Sequence, residues 1–168
     1  MKLIAPSVEY EQDYLAAIEE SKREAAFSIL PVPLPEQSFA DFIQNRIDQA
    51  LGVNLPTGFV PSTELWLIDK DEFVGRTNLR HFLNGYLLKI GGHIGYWIRP
   101  SKRKRGYGKI ILQLALKEAR KIGIKEILVT CDTTNERSRR VIEANGGILE
   151  NIVKNGDENP PKMRYWFT

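Results

Sequence analysis

Apolar residues along the chain follow two different periods, and the period predicts which segments are helices and which are strands. Between residues 9 and 51 they recur every three or four positions, interrupted by a run of prolines, which predicts two amphipathic helices, the first over about residues 9–24. From residue 63 onwards the repeat shortens towards two, which predicts strands, with a third helix over about residues 106–122 and a short fourth helix after residue 134. With a short first strand, the order is β-α-α-β-β-β-α-β-α-β-β, a mixed sheet with helices on its faces.

Capping and turn residues mark several of these boundaries. Ser38 begins the second helix, with Asp41 three residues on as in a capping box, and the helix ends at Gly52. Its predicted apolar stripe consists of Phe39, Phe42, Ile43, Ile47, Ala50 and Leu51. A tight turn over residues 69–71 joins two strands. Neither a repeat nor a domain boundary interrupts the pattern, so we expect one domain over residues 1–168.

Composition narrows the classes of protein to which the chain can belong. The 168 residues are 42% hydrophobic and 27% charged, as in a globular domain, and a formal net charge of +3 is too small to indicate a nucleic-acid-binding surface. No apolar run approaches the roughly 18 residues of a membrane span, and the N-terminus becomes acidic too early for a secretory signal. The single cysteine, Cys131, lies in an apolar segment, which favours a buried free thiol. We therefore expect a soluble cytoplasmic protein that binds neither nucleic acid nor membranes and holds no metal.

Positive charge is concentrated in one short segment. Six basic residues fall within the eleven positions from 99 to 109, namely Arg99, Lys102, Arg103, Lys104, Arg105 and Lys109. Two glycines, Gly106 and Gly108, lie among them, between a predicted strand and a predicted helix. A helix N-terminus offers unpaired N–H groups and partial positive charge, and glycine lets the backbone approach a ligand closely. The segment therefore predicts a cradle for a phosphate or pyrophosphate group, with helix initiation and a solvated basic rim as the alternative.

Spacing argues against two common nucleotide-binding loops. A Walker loop needs Ser or Thr after its Gly-Lys pair, but Ile110 follows Lys109, and Lys104 stands where the first glycine should be. A dinucleotide-binding loop needs a third glycine, and Ile111 occupies that position. A nucleotide-binding protein of either kind is therefore disfavoured.

The pattern that remains is Arg/Gln-x-x-Gly-x-Gly/Ala, which Arg103, Gly106 and Gly108 match. It resembles the acetyl-CoA loop of the GNAT superfamily of N-acetyltransferases. Three further motifs support the resemblance, since the preceding strand ends in IRPSKR, the next strand is followed by Asn135-x-x-Ser138, and the helix that begins there ends in EANGG. The resemblance covers about residues 93–150 and is nearest to a branch of predicted bacterial acetyltransferases.

The resemblance implies a fold, a co-substrate and a set of binding residues. The fold would be a GNAT-like α/β (α+β) architecture, in which a mostly antiparallel sheet of six to seven strands is flanked by about four helices. Acetyl-CoA would be the co-substrate, with its pantetheine arm on the main chain at Ile98 and against Asn135 and Ser138. Its pyrophosphate would be held by the loop residues Arg103, Lys104, Arg105, Gly106, Tyr107, Gly108 and Lys109.

Catalytic groups are harder to assign, because the tyrosine that often acts as the acid in this family is replaced by Ile142. His93 is a candidate general base, since an unperturbed imidazole titrates near neutral pH, with a structural histidine as the alternative. Tyr96 is a weaker candidate for the acid. Arg80 and His81 are candidates for binding the acceptor, for example its carboxylate, although both would also fit a solvent-exposed edge strand.

Three hypotheses of function follow. The leading one is an N-acetyltransferase that transfers the acetyl group of acetyl-CoA directly to a primary amine of a small molecule or peptide. The second, suggested by Ile142, is a CoA-binding module with a regulatory or lost catalytic function, and the third is a nucleotide-binding protein that is not a transferase. Acceptor specificity is expected from the first two helices and residues 53–62, and the apolar last strand would allow a homodimer.

Overall fold

The computed structural model describes residues 1–23 and 30–168 of the chain. These residues form four α-helices, α1 (Glu11–Lys22), α2 (Phe39–Ala50), α3 (Tyr107–Lys121) and α4 (Glu136–Glu143). They also form seven strands, β1 (Lys2–Ile4), β2 (Ser62–Asp69), β3 (Glu72–Arg80), β4 (Ile94–Ile98), β5 (Ile127–Asp132), β6 (Ile148–Asn155) and β7 (Asn159–Phe167). Short helical turns cover Val8–Tyr10, Leu87–Gly91 and Pro100–Lys102. The order of elements is the predicted one, and the α/β architecture is confirmed.

The strands form two antiparallel sheets, one with the order β1-β2-β3-β4 and the other with the order β5-β7-β6. Strands β4 and β5, which α3 connects, begin side by side, where the N–H of His93 donates to the carbonyl oxygen of Leu128 at 2.7 Å. Within the described residues no ladder continues from this pair, because β4 and β5 belong to different sheets. The two sheets therefore share a vertex at His93 and Leu128 and open away from it.

Apolar side chains pack on both faces of the first sheet. Under α3 and α4 lies a cluster that combines residues of both sheets, namely Leu79, Ile94, Leu112, Ala115, Leu116, Ala119, Ile127, Val129, Cys131, Ile142, Met163, Tyr165 and Phe167. On the opposite face, α1 and α2 cover an aromatic cluster in which Tyr14 stacks on Trp66 with ring centroids 4.7 Å apart. Cys131 is a buried free thiol, as predicted. The shared cluster joins the two sheets where their backbones do not.

Three details differ from the predicted pattern. The segment before β4, predicted as a linker, contains a π-helical turn over Leu87–Gly91. Strand β7 begins at Asn159, three residues before the predicted start. The apolar stripe of α2 is only partly buried, since Ile47 is 39% exposed and Leu51 is 74% exposed. The predicted end of the first helix at residue 24 lies outside the described residues. None of the helices in the described ranges is long and apolar enough to cross a membrane.

Gly92, which precedes the vertex, tests how closely the two sheets must approach. Its φ is +65°, and a Cβ would lie 2.6 Å from the carbonyl oxygen of Leu128. We expect Gly92→Ala to lower the free energy of unfolding by about 3 kcal/mol or more. Its ψ of −177° places the residue in a backbone region that essentially only glycine adopts, and strain of about 1–3 kcal/mol there adds to the clash. Gly123→Ala is the matched control, since its φ is +89° but no atom lies within 4 Å of its Cβ position. Urea denaturation measures the free energy of unfolding of both variants. Equal losses of this free energy would contradict the close approach of the two sheets.

Candidate functional site

One edge of β4 faces β5. In an antiparallel pair, the backbone groups of alternate residues bond to the partner strand, and those of the residues between them point away from it. The N–H of Arg99 donates to the carbonyl oxygen of Val74 at 2.9 Å, which fixes the phase of the pairing between β4 and β3. The backbone groups that point away from β3 are therefore those of Ile94, Tyr96 and Ile98.

Strand β5 presents a matching edge to β4. The N–H of Thr133 donates to the carbonyl oxygen of Pro161 at 2.9 Å, which fixes the phase of the pairing between β5 and β7. The backbone groups that point away from β7 are therefore those of Leu128, Thr130 and Asp132. Each strand thus directs donors and acceptors towards the other.

His93 and Leu128 join the two edges where the strands begin. The N–H of His93 donates to the carbonyl oxygen of Leu128 at 2.7 Å, and the N–H of Leu128 donates to Nδ1 of His93 at 3.0 Å. Beyond this vertex the two edges diverge without a ladder between them, as far as the structure describes the chain. We call this opening the wedge, bounded by Tyr96 and Ile98 on β4 and by Thr130 and Asp132 on β5.

Three of the predicted residues meet beside the wedge. The hydroxyl of Tyr96 lies 2.8 Å from Oγ of Ser138. Asn135 caps α4, and its Oδ1 accepts from the N–H of Ser138 at 3.0 Å. Burial raises the pKa of Tyr96 to about 12, so its hydroxyl keeps its proton at neutral pH. The structure brings these residues together, and their functions stay predictions.

The glycine-rich loop follows β4 and starts α3. Gly106 is the N-cap of α3 with a φ of +84°, and no side chain caps the helix there. The first N–H groups of a helix have no partner within the helix, so this end of α3 can receive an anion. Lys104 also has a positive φ, of +60°, so the loop turns sharply. Gly108 serves packing, because a Cβ there would lie 3.1 Å from Cγ2 of Val141 on α4.

Ion pairs distinguish some of the six predicted cations from others. Arg99 is buried and pairs with Asp13 at 2.5 Å and with Glu20 at 2.7 Å, so it ties α1 to the end of β4. Lys102 pairs with Glu72 at 2.6 Å. The exposed cations that have no ion-pair partner in the described part of the chain are Lys104, Arg105 and Lys109. The positive charge that an anion would meet is therefore concentrated on these three.

Two further side chains of the loop bond back to the protein. Nε of Arg103 donates to the carbonyl oxygen of Ile98 at 2.9 Å. The hydroxyl of Tyr107 donates to Asp69 at 2.7 Å, and this bond raises the pKa of Tyr107. The backbone of Tyr107, and not its side chain, would therefore contact a bound anion. The bond to Arg103 uses the carbonyl oxygen of Ile98, so the N–H of Ile98 remains directed into the wedge.

His93 is engaged in the vertex. It is buried, and its Nδ1 lone pair accepts from the backbone of Leu128, which places the proton of the neutral ring on Nε2. Burial, with the nearby charge of Arg80, lowers the pKa of His93 to about 4. A general base needs a free lone pair and a pKa near the working pH. The geometry therefore favours the structural alternative, and a catalytic role for His93 stays a prediction.

Arg80 and His81 hold neighbouring backbone and side chains. Nη1 of Arg80 donates to the carbonyl oxygens of Gly91 at 3.0 Å and Gly92 at 2.9 Å. Nε2 of His81 lies 2.8 Å from Oγ1 of Thr63, and burial lowers the pKa of His81. Arg80 differs from His81 in one respect, because it also lines a cavity on the face of the first sheet that α1 and α2 partly cover.

This cavity has a volume of about 260 Å³, and sequence reasoning did not locate it. Besides Arg80, its lining consists of Gly58, Phe59, Val60, Ser62, Asn78, Tyr86 and Leu87. Residues 58–60 and 62 belong to the segment from which acceptor specificity is predicted, and Arg80 is a predicted acceptor-binding residue, so the sequence carried these two signals. Ile142, which replaces the usual tyrosine, is fully buried in the cluster under α3.

Residues 4–148 of the chain match the family model described as the acetyltransferase (GNAT) domain. This stretch is well over half of the chain. The chain belongs to the GNAT family of acetyltransferases. The predicted resemblance is thereby confirmed. Among curated protein sequences, none matches the chain significantly.

Solved structures show the same GNAT fold. The acetyltransferase that modifies the N-terminal serine of the 50S ribosomal subunit protein L7/L12 from Salmonella typhimurium has a TM-score of 0.70 and 18% identity, covering 98% of this chain and 92% of that one. The Microcin C7 self-immunity acetyltransferase MccE, in complex with acetyl-CoA and AMP, has a TM-score of 0.67 and 17% identity, covering 98% and 90%. A spermidine N-acetyltransferase from Vibrio cholerae has a TM-score of 0.64 and 12% identity, covering 99% and 94%. At these identities the likeness shows the fold alone.

His93 gives the vertex a pH dependence that can be measured. Its pKa falls from the ordinary value of 6.5 to about 4 in the folded chain. Between these pH values the unfolded chain binds a proton that the folded chain does not, so the free energy of unfolding rises with pH across this window. The stability that His93 contributes is lost on acidification through the same window. We expect His93 to account for a loss of at most about 3 kcal/mol between pH 6.5 and pH 4.

The variant His93→Asn isolates this contribution, because an amide oxygen can accept from Leu128 but does not titrate. Urea denaturation at several pH values between 6.5 and 5 should give a shallower slope of unfolding free energy against pH for His93→Asn than for the wild type. Equal slopes would show that His93 does not titrate differently in the folded and unfolded chain.

Proposed function

We propose that the protein is an acetyl-CoA-dependent N-acetyltransferase that transfers the acetyl group directly to a primary amine. The observation that carries this proposal is the wedge, with the uncapped N-terminus of α3 at its open side. A pantetheine arm contains amide groups, which can bond to the edges of β4 and β5 as an added strand would. The N–H of Ile98 is the donor that β4 offers at the end next to the loop.

The loop suits the other half of the co-substrate. The pyrophosphate would lie on the first N–H groups of α3, where the helix dipole and the approach allowed by Gly106 favour negative charge. Lys104, Arg105 and Lys109 are exposed around it and add attraction. MccE, which has the same fold, was solved in complex with acetyl-CoA and AMP, which supports acetyl-CoA as the co-substrate.

The transfer forms one covalent bond and breaks another. The amine, after losing a proton to water, attacks the thioester carbonyl carbon, so that a C–N bond forms and the C–S bond breaks. The oxyanion formed on the way needs a donor, which the N–H groups of the β4 edge can supply. The leaving thiolate needs a proton, and Tyr96 is the proposed donor, because its hydroxyl lies beside the wedge and stays protonated at neutral pH. The proton that the attacking nitrogen loses as the amide forms passes through water to the tyrosinate and restores Tyr96.

A CoA-binding module without turnover is the second candidate. The observation that favours it is Ile142, which occupies the position of the usual acid and is fully buried in an apolar cluster. The two candidates differ in one result, since both bind acetyl-CoA but only the first releases CoA thiol in the presence of an amine.

Co-substrate binding can be tested at the N-terminus of α3. Gly106→Glu places a carboxylate where the pyrophosphate would lie, so we expect the affinity for acetyl-CoA in calorimetry to fall at least 100-fold. Gly123→Glu is the matched control at the other end of the same helix, with a similar φ of +89° and open space around its Cβ position. Its affinity should stay within twofold of the wild type. Equal affinities of the two variants would remove the loop from the site.

Proton donation can be tested with two tyrosines of similar acidity. Tyr96→Phe should lower kcat for thiol release on the order of 10²-fold, the usual contribution of a general acid, and leave acetyl-CoA affinity unchanged. Tyr165→Phe is the control, since burial also raises the pKa of Tyr165 to about 12, while its hydroxyl bonds to Glu143 on α4. The amine is whichever of spermidine, L-phenylalanine or a serine-initiated peptide turns over fastest. An unchanged kcat in Tyr96→Phe would exclude Tyr96 as the acid.

A further inference from the structure

The cavity lined by Arg80 and Asn78 lies close to the wedge. Asn78 on β3 is the cross-strand partner of Gly95 on β4, and cross-strand partners point to the same face of a sheet. A Cβ on Gly95 would meet no atom within 4 Å, so the space above Gly95 is open and adjoins Asn78. Adjacent strands are about 4.8 Å apart. A group held at Asn78 would therefore be about one strand spacing from β4, whose far edge borders the wedge.

Asn78 has an unused acceptor. Its Oδ1 is buried and has no hydrogen-bond partner among the described residues. A buried carbonyl oxygen without a partner is costly, and native structures contain few of them. Since the atom belongs to a residue that lines a cavity, a ligand with an N–H group would satisfy it.

Arg80 has unused donors and an uncompensated charge. Its Nη1 is occupied by two backbone carbonyls, while in the described part of the chain no partner bonds to its Nε or Nη2. No carboxylate of the described residues pairs with Arg80, and burial with the charge of Arg76 lowers its pKa. None of the lining residues is acidic. A carboxylate on the ligand would supply the missing partner.

Apart from the hydroxyl groups of Ser62 and Tyr86, the rest of the lining is apolar, and the cavity is small. Val60 and Leu87 are buried in its wall, and Phe59 and Tyr86 stand at its rim with 70% and 67% of their surfaces exposed. Exposed aromatic rings beside a cavity are ready to cover an apolar ligand group. The volume of about 260 Å³ lies below the range of roughly 300–1,000 Å³ that is usual for drug-sized ligands, so the ligand is a small molecule.

We propose that this cavity binds the acceptor and that the acceptor is a free α-amino acid with an aromatic or large apolar side chain. The carboxylate bonds to Arg80, the amino group donates to Oδ1 of Asn78, and the side chain packs on Phe59 and Tyr86. This assignment rests on the proposed acetyl transfer and names the substrate class for it. A polyamine is disfavoured, because the lining offers a cation and no carboxylate.

Three amines separate the contributions of the cavity. L-phenylalanine has the ring, the amine and the carboxylate, phenethylamine lacks the carboxylate, and spermidine is a polycation. With acetyl-CoA saturating, we expect kcat/KM for thiol release to be at least tenfold higher for L-phenylalanine than for phenethylamine, and no turnover of spermidine above background. Preference for spermidine, or equal rates with phenethylamine, would overturn the assignment.

Variants of the lining residues locate the site. Phe59→Ala and Tyr86→Ala should each raise KM for L-phenylalanine at least fivefold. Phe82→Ala, which changes another exposed aromatic residue outside the lining, should leave KM within twofold. Asn78→Leu should abolish turnover, and Asn78→Asp, which keeps an acceptor oxygen, should retain part of it. If Asn78→Leu does not fold, the two rim variants decide, since both are exposed.

Acetyl-CoA affinity keeps the two proposals apart. Each variant should bind acetyl-CoA as the wild type does, because the changes lie away from the loop. A wild-type protein that does not bind acetyl-CoA would end the proposed function itself. Two results would overturn only the assignment of the cavity. In the first, the protein binds acetyl-CoA but neither acetylates nor binds L-phenylalanine. In the second, KM for L-phenylalanine is the same in the rim variants and in Phe82→Ala.

Discussion

His93 and Leu128 hold the two sheets together at one end and leave them apart at the other. They form one point of contact between β4 and β5, with a backbone hydrogen bond in one direction and a bond from the backbone to the imidazole side chain in the other. Two such bonds contribute about 1–3 kcal/mol in total, so they set the position of the strands more than their stability. Cohesion comes from the cluster under α3, in which Leu79 of one sheet and Val129 of the other are both buried. Because each such side chain contributes about 1.5–3 kcal/mol, the ladder can be absent and the wedge can stay open.

The parts of this arrangement that could be predicted have local causes. The left-handed conformation of Gly106 and the caps at Ser38 and Asn135 depend on residues within four positions of each. The period of apolar residues predicts the order of all the elements, although the apolar stripe of α2 is only partly buried. The loop that we propose to bind an anion through its backbone is likewise a local structure, so its glycines are visible in the sequence.

The parts that could not be predicted depend on partners distant in the chain. In the sequence, His93 has the features of a titratable base, but in the structure Leu128, 35 positions away, donates to its Nδ1. Arg99 belongs to the basic cluster in the sequence, but in the structure it pairs with Asp13, 86 positions away. Asn78 has the pattern of an ordinary strand residue, and its unpartnered carbonyl is apparent only when the loop at residues 58–62 closes beside it. In each case burial and pairing across the fold decide the chemistry.

The charges of the cavity bear on how an amine could be deprotonated without a histidine base. On our assignment, the carboxylate of the amino acid neutralises Arg80, and its ammonium group enters a site whose lining contains no carboxylate. Glu64, opposite Asn78 on β2, is already paired with Arg76 at 2.8 Å. Burial without a counter-charge lowers the pKa of an ammonium group. The cavity would therefore favour the neutral amine that attacks the thioester, with water as the proton acceptor. A protein base is then unnecessary, which is consistent with a buried histidine whose lone pair is spent on the backbone.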